Sequence, residues 1–159
     1  MGFSAGGHLA SCAATIFDKG DPRAVDSVNR LSCRPAFAIL AYPVISLEGT
    51  FAHGGSRRNL LGNKPDAKLV ASLSTQNRVT KDTPPVFLFH TREDKVVPVE
   101  NSEGFAAACK KAGVPYELMV QDKGRHGVGL GGKDAELSKW PVRMLEWLKE
   151  RKLAVPPGP

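Results

Sequence analysis

The sequence predicts an α/β domain in which a parallel sheet is flanked by helices. Two apolar runs carry this expectation, Phe37 to Val44 and Val86 to His90, each led in by proline and rich in β-branched and aromatic residues. Neither alternates with polar residues, as befits a strand covered on both faces. The third observation is the order of elements. Helical segments stand before, between and after the strand-like runs, and that alternation asks for right-handed crossovers in a parallel sheet.

Taken in order, a first helix is expected from Ser4 to Phe17, with Leu9, Cys12, Ala13 and Ile16 as its apolar stripe. Asp18-Lys19-Gly20-Asp21-Pro22 has the turn chemistry to stop it. Residues 23–34 read as a loop with a short turn, and Pro43 ends the ladder of the strand that follows. Residues 46–82 form a long excursion near the substrate side, in which Gly49, Gly54-Gly55 and Gly62 mark loops. Within it Leu60-Leu61-Gly62 suggests a short helical turn, and a helix starts at Pro65-Asp66 and runs through Leu69, Val70 and Leu73. After the second strand come a loop from Thr91 to Val97 and a helix from Asn101 to Ala112, with Phe105, Ala108 and Cys109 inward and Gly113 as its stop. A third strand, Tyr116 to Val120, leads into a glycine-rich loop, Gly124 to Gly132. The last helix starts near Trp140 and carries Met144, Leu145, Trp147 and Leu148. Residues 1–153 are thus read as part of one domain and 154–159 as a disordered tail.

The bulk numbers narrow the function. A hydrophobic fraction of 42% and a charged fraction of 24% are those of a globular domain, and no apolar run is long enough to span a bilayer. The net charge of +6 comes from scattered pairs such as Arg57-Arg58 and Lys110-Lys111, without an aromatic-interleaved stripe, so neither a nucleic-acid nor a membrane partner is expected. Cys12, Cys33 and Cys109 lack the spacing of a zinc site, and Cys12 and Cys109 read as buried free thiols.

The chemistry starts at Gly2-Phe3-Ser4-Ala5-Gly6, which fits G-x-S-x-G, the strand-to-helix turn that exposes a nucleophilic serine. The two glycines are expected to be needed because a Cβ there would collide across so tight a turn. The N–H of Ala5 would face a developing oxyanion. A serine needs a base, and the base needs an acid to orient it. Asp94 follows the second strand and His126 the third, so Ser4, Asp94 and His126 have the order and the strand-end placement required. Glu93 reads as a solvated loop charge and Asp122 as a distant competitor. His8 and His90 read as structural, and His53-Gly54-Gly55 as a flexible loop.

These residues carry a resemblance. GFSAGGHLA (Gly2 to Ala10), RPAFAILAYPVIS (Arg34 to Ser46), Leu60-Leu61-Gly62, DTPPVFLFHTREDKVVP (Asp82 to Pro98), AGVPY (Ala112 to Tyr116) and GRHGVGL (Gly124 to Leu130) resemble the C-terminal part of an α/β-hydrolase. The nearest set is that of bacterial acetylxylan and feruloyl esterases, close to the dienelactone-hydrolase and prolyl-oligopeptidase-like branches. The resemblance implies Ser4 as nucleophile, Asp94 as acid and His126 as base, with no cofactor or metal. It implies cleavage of a small-molecule or polysaccharide ester, such as acetyl or feruloyl groups on xylan, through an acyl-enzyme. A dienelactone hydrolase would have cysteine at position 4. A prolyl-oligopeptidase-like peptidase would use the same three residues, and a catalytically inactive truncated fragment is the third reading. The family has strands ahead of the serine turn and a loop there with a second oxyanion donor. The expectation is therefore a partial α/β-hydrolase fold with its N-terminal strands missing, only Met1 before Gly2, and an open edge along Phe37 to Tyr42.

Overall fold

A computed structural model describes residues 1–153, so the tail expected at 154–159 lies outside the described residues. Four parallel strands form one sheet in the order β1 (Gly2–Phe3), β2 (Ala38–Ala41), β3 (Val86–Thr91) and β4 (Tyr116–Gln121). Five α-helices accompany them: α1 (Ser4–Thr15), α2 (Gly54–Leu61), α3 (Ala67–Leu73), α4 (Glu100–Ala112) and α5 (Lys139–Glu150). Short 3-10 turns occupy Val28–Arg30 and Thr75–Arg78.

The period of two along the central strands divides the core. Ala38, Leu40, Val86 and Leu88 pack with Ala14 of α1 and Phe105, Ala106 and Cys109 of α4. Ile39, Ala41, Phe87 and Phe89 turn the other way, onto Trp140, Trp147 and Leu148 of α5. Every residue of β2 and β3 is buried, which is why their sequences show no alternation. β4 lies at the sheet edge and is half-buried throughout.

Several expectations change. Gly2–Phe3 forms a short strand that pairs with Leu40 and Ala41, so part of the β2 edge is covered. The buried face of α1 is Gly7, His8, Ser11 and Ala14, whereas Leu9 is 72% exposed and Ile16 43%. Small residues face the sheet because α1 lies close against β2, and Ser11 satisfies its hydroxyl on His8 O and Thr75 Oγ1. Residues 54–55 are helical rather than loop: His53 caps α2, its Nδ1 accepting the Ser56 amide at 3.2 Å, and Gly62 closes the helix with φ 81°. Asp66 caps α3 by accepting the Leu69 amide, so Pro65 stands just ahead of the helix. Leu145 of α5 is half-exposed. Cys109 is buried, with its thiol pushed up to about 12 by desolvation, while Cys12 is only partly buried and Cys33 is exposed.

The segment after β2 is held to the start of α4 by one side chain. Asn101 is 1% exposed; its Oδ1 accepts the Ile45 and Ser46 amides, and its Nδ2 donates to Phe51 O and Pro98 O. Asn101→Ala would strand two amides at the end of the sheet. It is expected to lower the unfolding free energy by about 2–4 kcal/mol in urea titrations.

Candidate active site

In a parallel sheet all strands finish on one side, and four chemically relevant residues collect there. Ser4 follows β1, Tyr42 follows β2, and Asp94 and His126 lie on the loops after β3 and β4.

The chain reverses sharply at Ser4. Phe3 is extended (φ −115°, ψ 140°), and Ser4, already the first residue of α1, has φ 52°. A left-handed conformation at a non-glycine residue costs about 1–3 kcal/mol and persists only where surroundings enforce it. Two glycines allow it, one of them different from the pair expected. A Cβ on Gly2 would overlap the Gly6 carbonyl, as expected, but one on Gly6 would meet nothing. The second demand falls on Gly7, whose added Cβ would stand 2.6 Å from Pro43 Cβ. Ser4 O is held by the Val44 amide at 3.0 Å.

Ser4, His126 and Asp94 meet in one hydrogen-bonded line. Ser4 Oγ is 2.8 Å from His126 Nε2, and His126 Nδ1 is 2.6 Å from Asp94 Oδ2. Asp94 is 5% exposed, and its Oδ1 accepts the Val96 and Val97 amides, both at 2.9 Å. Burial alone would raise its carboxyl, but the hydrogen bonds from His126, Val97 and Val96 outweigh that and hold it below the usual range. An ionised Asp94 can only accept, so His126 donates from Nδ1 and leaves Nε2 free to take the Ser4 hydroxyl proton. The Ala5 amide lies in the first turn of α1, where no carbonyl one turn back can use it. Beside Ala5 a cleft of about 410 Å³ opens between α1 and α2, lined by Leu9, Leu47, Leu60, Ser56 and Asn59.

The competing groups lie elsewhere. Glu93 is exposed and accepts the Gly124 amide at 3.2 Å, and the Asp122 side chain is 90% exposed beside Arg92. His8 ties α1 to α3 through Nε2 and Leu73 O at 2.8 Å, and His53 is the cap of α2. His90 is fully buried directly behind Asp94.

Tyr42 was not singled out from the sequence. Its ring meets the His126 ring edge-on at 5.1 Å, and its Oη accepts the Gly129 amide at 3.2 Å. Trp140 Nε1 donates to Gly129 O, so the loop carrying His126 is fastened from two sides. Burial raises the Tyr42 phenol and keeps it neutral, and its φ of 38° repeats the strain seen at Ser4. Its position at the carboxyl end of a parallel strand was the signal available.

With this geometry in place, comparison with known proteins locates the chain. The BD-FAE family profile matches residues 1–109. The chain belongs to the BD-FAE family. It is 39% identical over 143 residues to an endo-1,4-beta-xylanase B of Butyrivibrio fibrisolvens, covering 88% of this chain and 22% of that protein. It is 39% identical over 135 residues to an acetylxylan esterase of Xylanibacter ruminicola, covering 82% and 26%. The structure superposes on an acetyl ester-xyloside bifunctional hydrolase from Caldicellulosiruptor lactoaceticus with a TM-score of 0.92 and 50% identity, covering 97% of this chain and 56% of that one. The BD-FAE chain described here thus spans about a quarter of these two relatives and just over half of the solved chain. The neighbours are α/β-hydrolase esterases, and the parallel sheet with flanking helices matches just over half of that fold in their chains.

Two buried groups give this BD-FAE chain a defined acid response. His90 is held below its ordinary 6.5 by burial, so as pH falls through 6.5 the unfolded chain takes a proton that the folded ring refuses, and stability is lost. The Asp94 carboxyl lies below its ordinary 3.8, so its contribution is complete above 3.8 and is lost as pH falls through the folded value. Urea midpoints measured across about pH 3 to 8 should therefore decline in two stages. His90→Gln should remove the first and Asp94→Asn should diminish the second.

Proposed function

We propose that this chain carries the reacting groups of a serine carboxylic-ester hydrolase. The observation that carries the reading is the line from Asp94 Oδ2 through His126 to Ser4 Oγ, with both links between 2.6 and 2.8 Å. In this reading Ser4 Oγ attacks the ester carbonyl carbon while His126 Nε2 takes its proton. The carbonyl oxygen gains charge and is met by the Ala5 N–H at the positive end of α1. His126 then returns the proton to the leaving alcohol, and an acyl group remains on Ser4. Water, deprotonated by the same His126, releases the acid. Asp94 stays ionised throughout, fixes the Nδ1–H tautomer and stabilises the imidazolium.

An acetyl ester on a xylan-type sugar is the proposed substrate. It is supported by the acetylxylan esterase and the acetyl ester-xyloside hydrolase to which the chain is similar. The excursion 46–82 is proposed as part of the substrate side, since Leu47, Ser56, Asn59 and Leu60 border the cleft next to Ala5.

A fluorophosphonate probe should label the protein, and Ser4→Ala should abolish labelling and cut p-nitrophenyl acetate hydrolysis by about 10⁴-fold. Labelling that survives Ser4→Ala would sink the nucleophile assignment. Faster cleavage of proline-containing amides than of acetyl esters would replace the esterase reading with a peptidase one.

A further inference from the structure

One buried titratable group has no part in the steps above. His90, the fifth residue of β3, is fully buried, and both its ring nitrogens are engaged. Nε2 is 2.9 Å from Val97 O, a carbonyl that can only accept, so the ring hydrogen sits on Nε2. Burial keeps the ring neutral. Nδ1 is therefore bare and accepts the hydroxyl proton of Ser102, 2.8 Å away on α4 and itself fully buried. The same Nε2 is 3.4 Å from Asp94 Oδ2, too long for a strong hydrogen bond but close enough for the N–H dipole to act on a carboxylate in a dry site.

We propose that His90 is a positioning residue for Asp94: it clamps the turn 94–97 and shares the carboxylate's charge with His126. The proposal rests on the reading of Ser4, His126 and Asp94 as the reacting set. Through Val97 O, His90 holds the peptide segment whose own N–H binds Asp94 Oδ1. Ser102 locks the His90 tautomer from the opposite side. Asp94 thus lies between two imidazoles, each with a serine hydroxyl beyond it, and only the pair formed by His126 and Ser4 reaches solvent. Few other titratable groups face this array. Tyr42 packs on His126 and is neutral, Val120 is the β4 partner of His90, and Glu103 of α4 turns to Arg92 at 3.4 Å. Without His90, less of the Asp94 charge is met by other donors. More remains for the imidazolium, and His126 gives up its proton only at higher pH.

The test measures kcat, KM and the pH profile for p-nitrophenyl acetate in the wild type, in His90→Gln and in His90→Leu/Ser102→Ala. The double variant leaves no orphaned hydroxyl. It should lose about 10- to 100-fold in kcat with KM little changed, since loosened support misplaces the base. Its acid limb of kcat/KM should move to higher pH. His90→Gln keeps an N–H for Val97 O and should restore the limb. A folded double variant whose acid limb matches the wild type overturns the proposal, even if kcat falls. Should that variant not fold, ¹⁵N-imidazole NMR of the wild type decides. A neutral Nε2–H ring at His90 throughout the titration of His126 supports the proposal. An Nδ1–H tautomer, or titration in step with His126, overturns it. Hydrolysis by the wild type that Ser4→Ala does not affect would instead defeat the functional reading, and the NMR result would still judge His90.

Discussion

A carboxylate withdrawn from water has to be met by donors, and in this chain that demand arranges the end of the sheet. Asp94 is almost completely buried, and its two oxygens collect the Val96 and Val97 amides, the His126 ring N–H and the near approach of His90. Leaving such a charge unpaired would cost several kcal/mol, so the turn after β3 and the loop after β4 are obliged to converge on it, with α4 joined to the array through Ser102 and His90. Thr91 Oγ1 adds a bond to Gly124 O, which brings the loops after β3 and β4 together ahead of Asp94 and His126. His126 is placed by this convergence together with the Tyr42 and Trp140 bonds that fasten its loop at Gly129.

The second constraint is strain. Ser4 and Tyr42 both hold left-handed backbone at non-glycine residues, each immediately after its strand. Neither would stay there in isolation. The Val44 amide on Ser4 O and the close approach of Gly7 to Pro43 lock the two turns against each other, and the Tyr42 amide on Phe89 O ties the second of them to β3. Strain on one side of the site is thus balanced by packing on the other, and the small-residue face of α1 is what lets the turns approach.

Much of this was legible beforehand, for reasons that differ by element. β2 and β3 showed as continuous apolar runs because both faces are covered. α4 showed through Phe105 and Cys109 and through Gly113, whose φ of 70° closes the helix. The order of Ser4, Asp94 and His126 showed because strand ends in a parallel sheet share one side. α1 misled, since its apolar residues do not mark its buried face. A helix pressed against a strand selects for smallness, and Gly7, Ser11 and Ala14 have no hydrophobic periodicity to display. Only the end of α2 showed, as the turn at Leu60-Leu61-Gly62; its start was hidden by two glycines, where a histidine cap offsets their poor helix propensity.

Local pattern in the amino-acid sequence was enough for the fold class and for naming Ser4, Asp94 and His126 as candidates: apolar runs of strand length, turn residues, and a serine between glycines. Tertiary structure decided which residues surround those groups. That Gly7 rather than Gly6 needs to lack a side chain, that Tyr42 braces His126, and that His90 stands behind Asp94 are all facts of contact between segments far apart in the chain. No local pattern encodes such contacts, since each arises only when the strands have paired and the buried carboxylate has drawn its donors together.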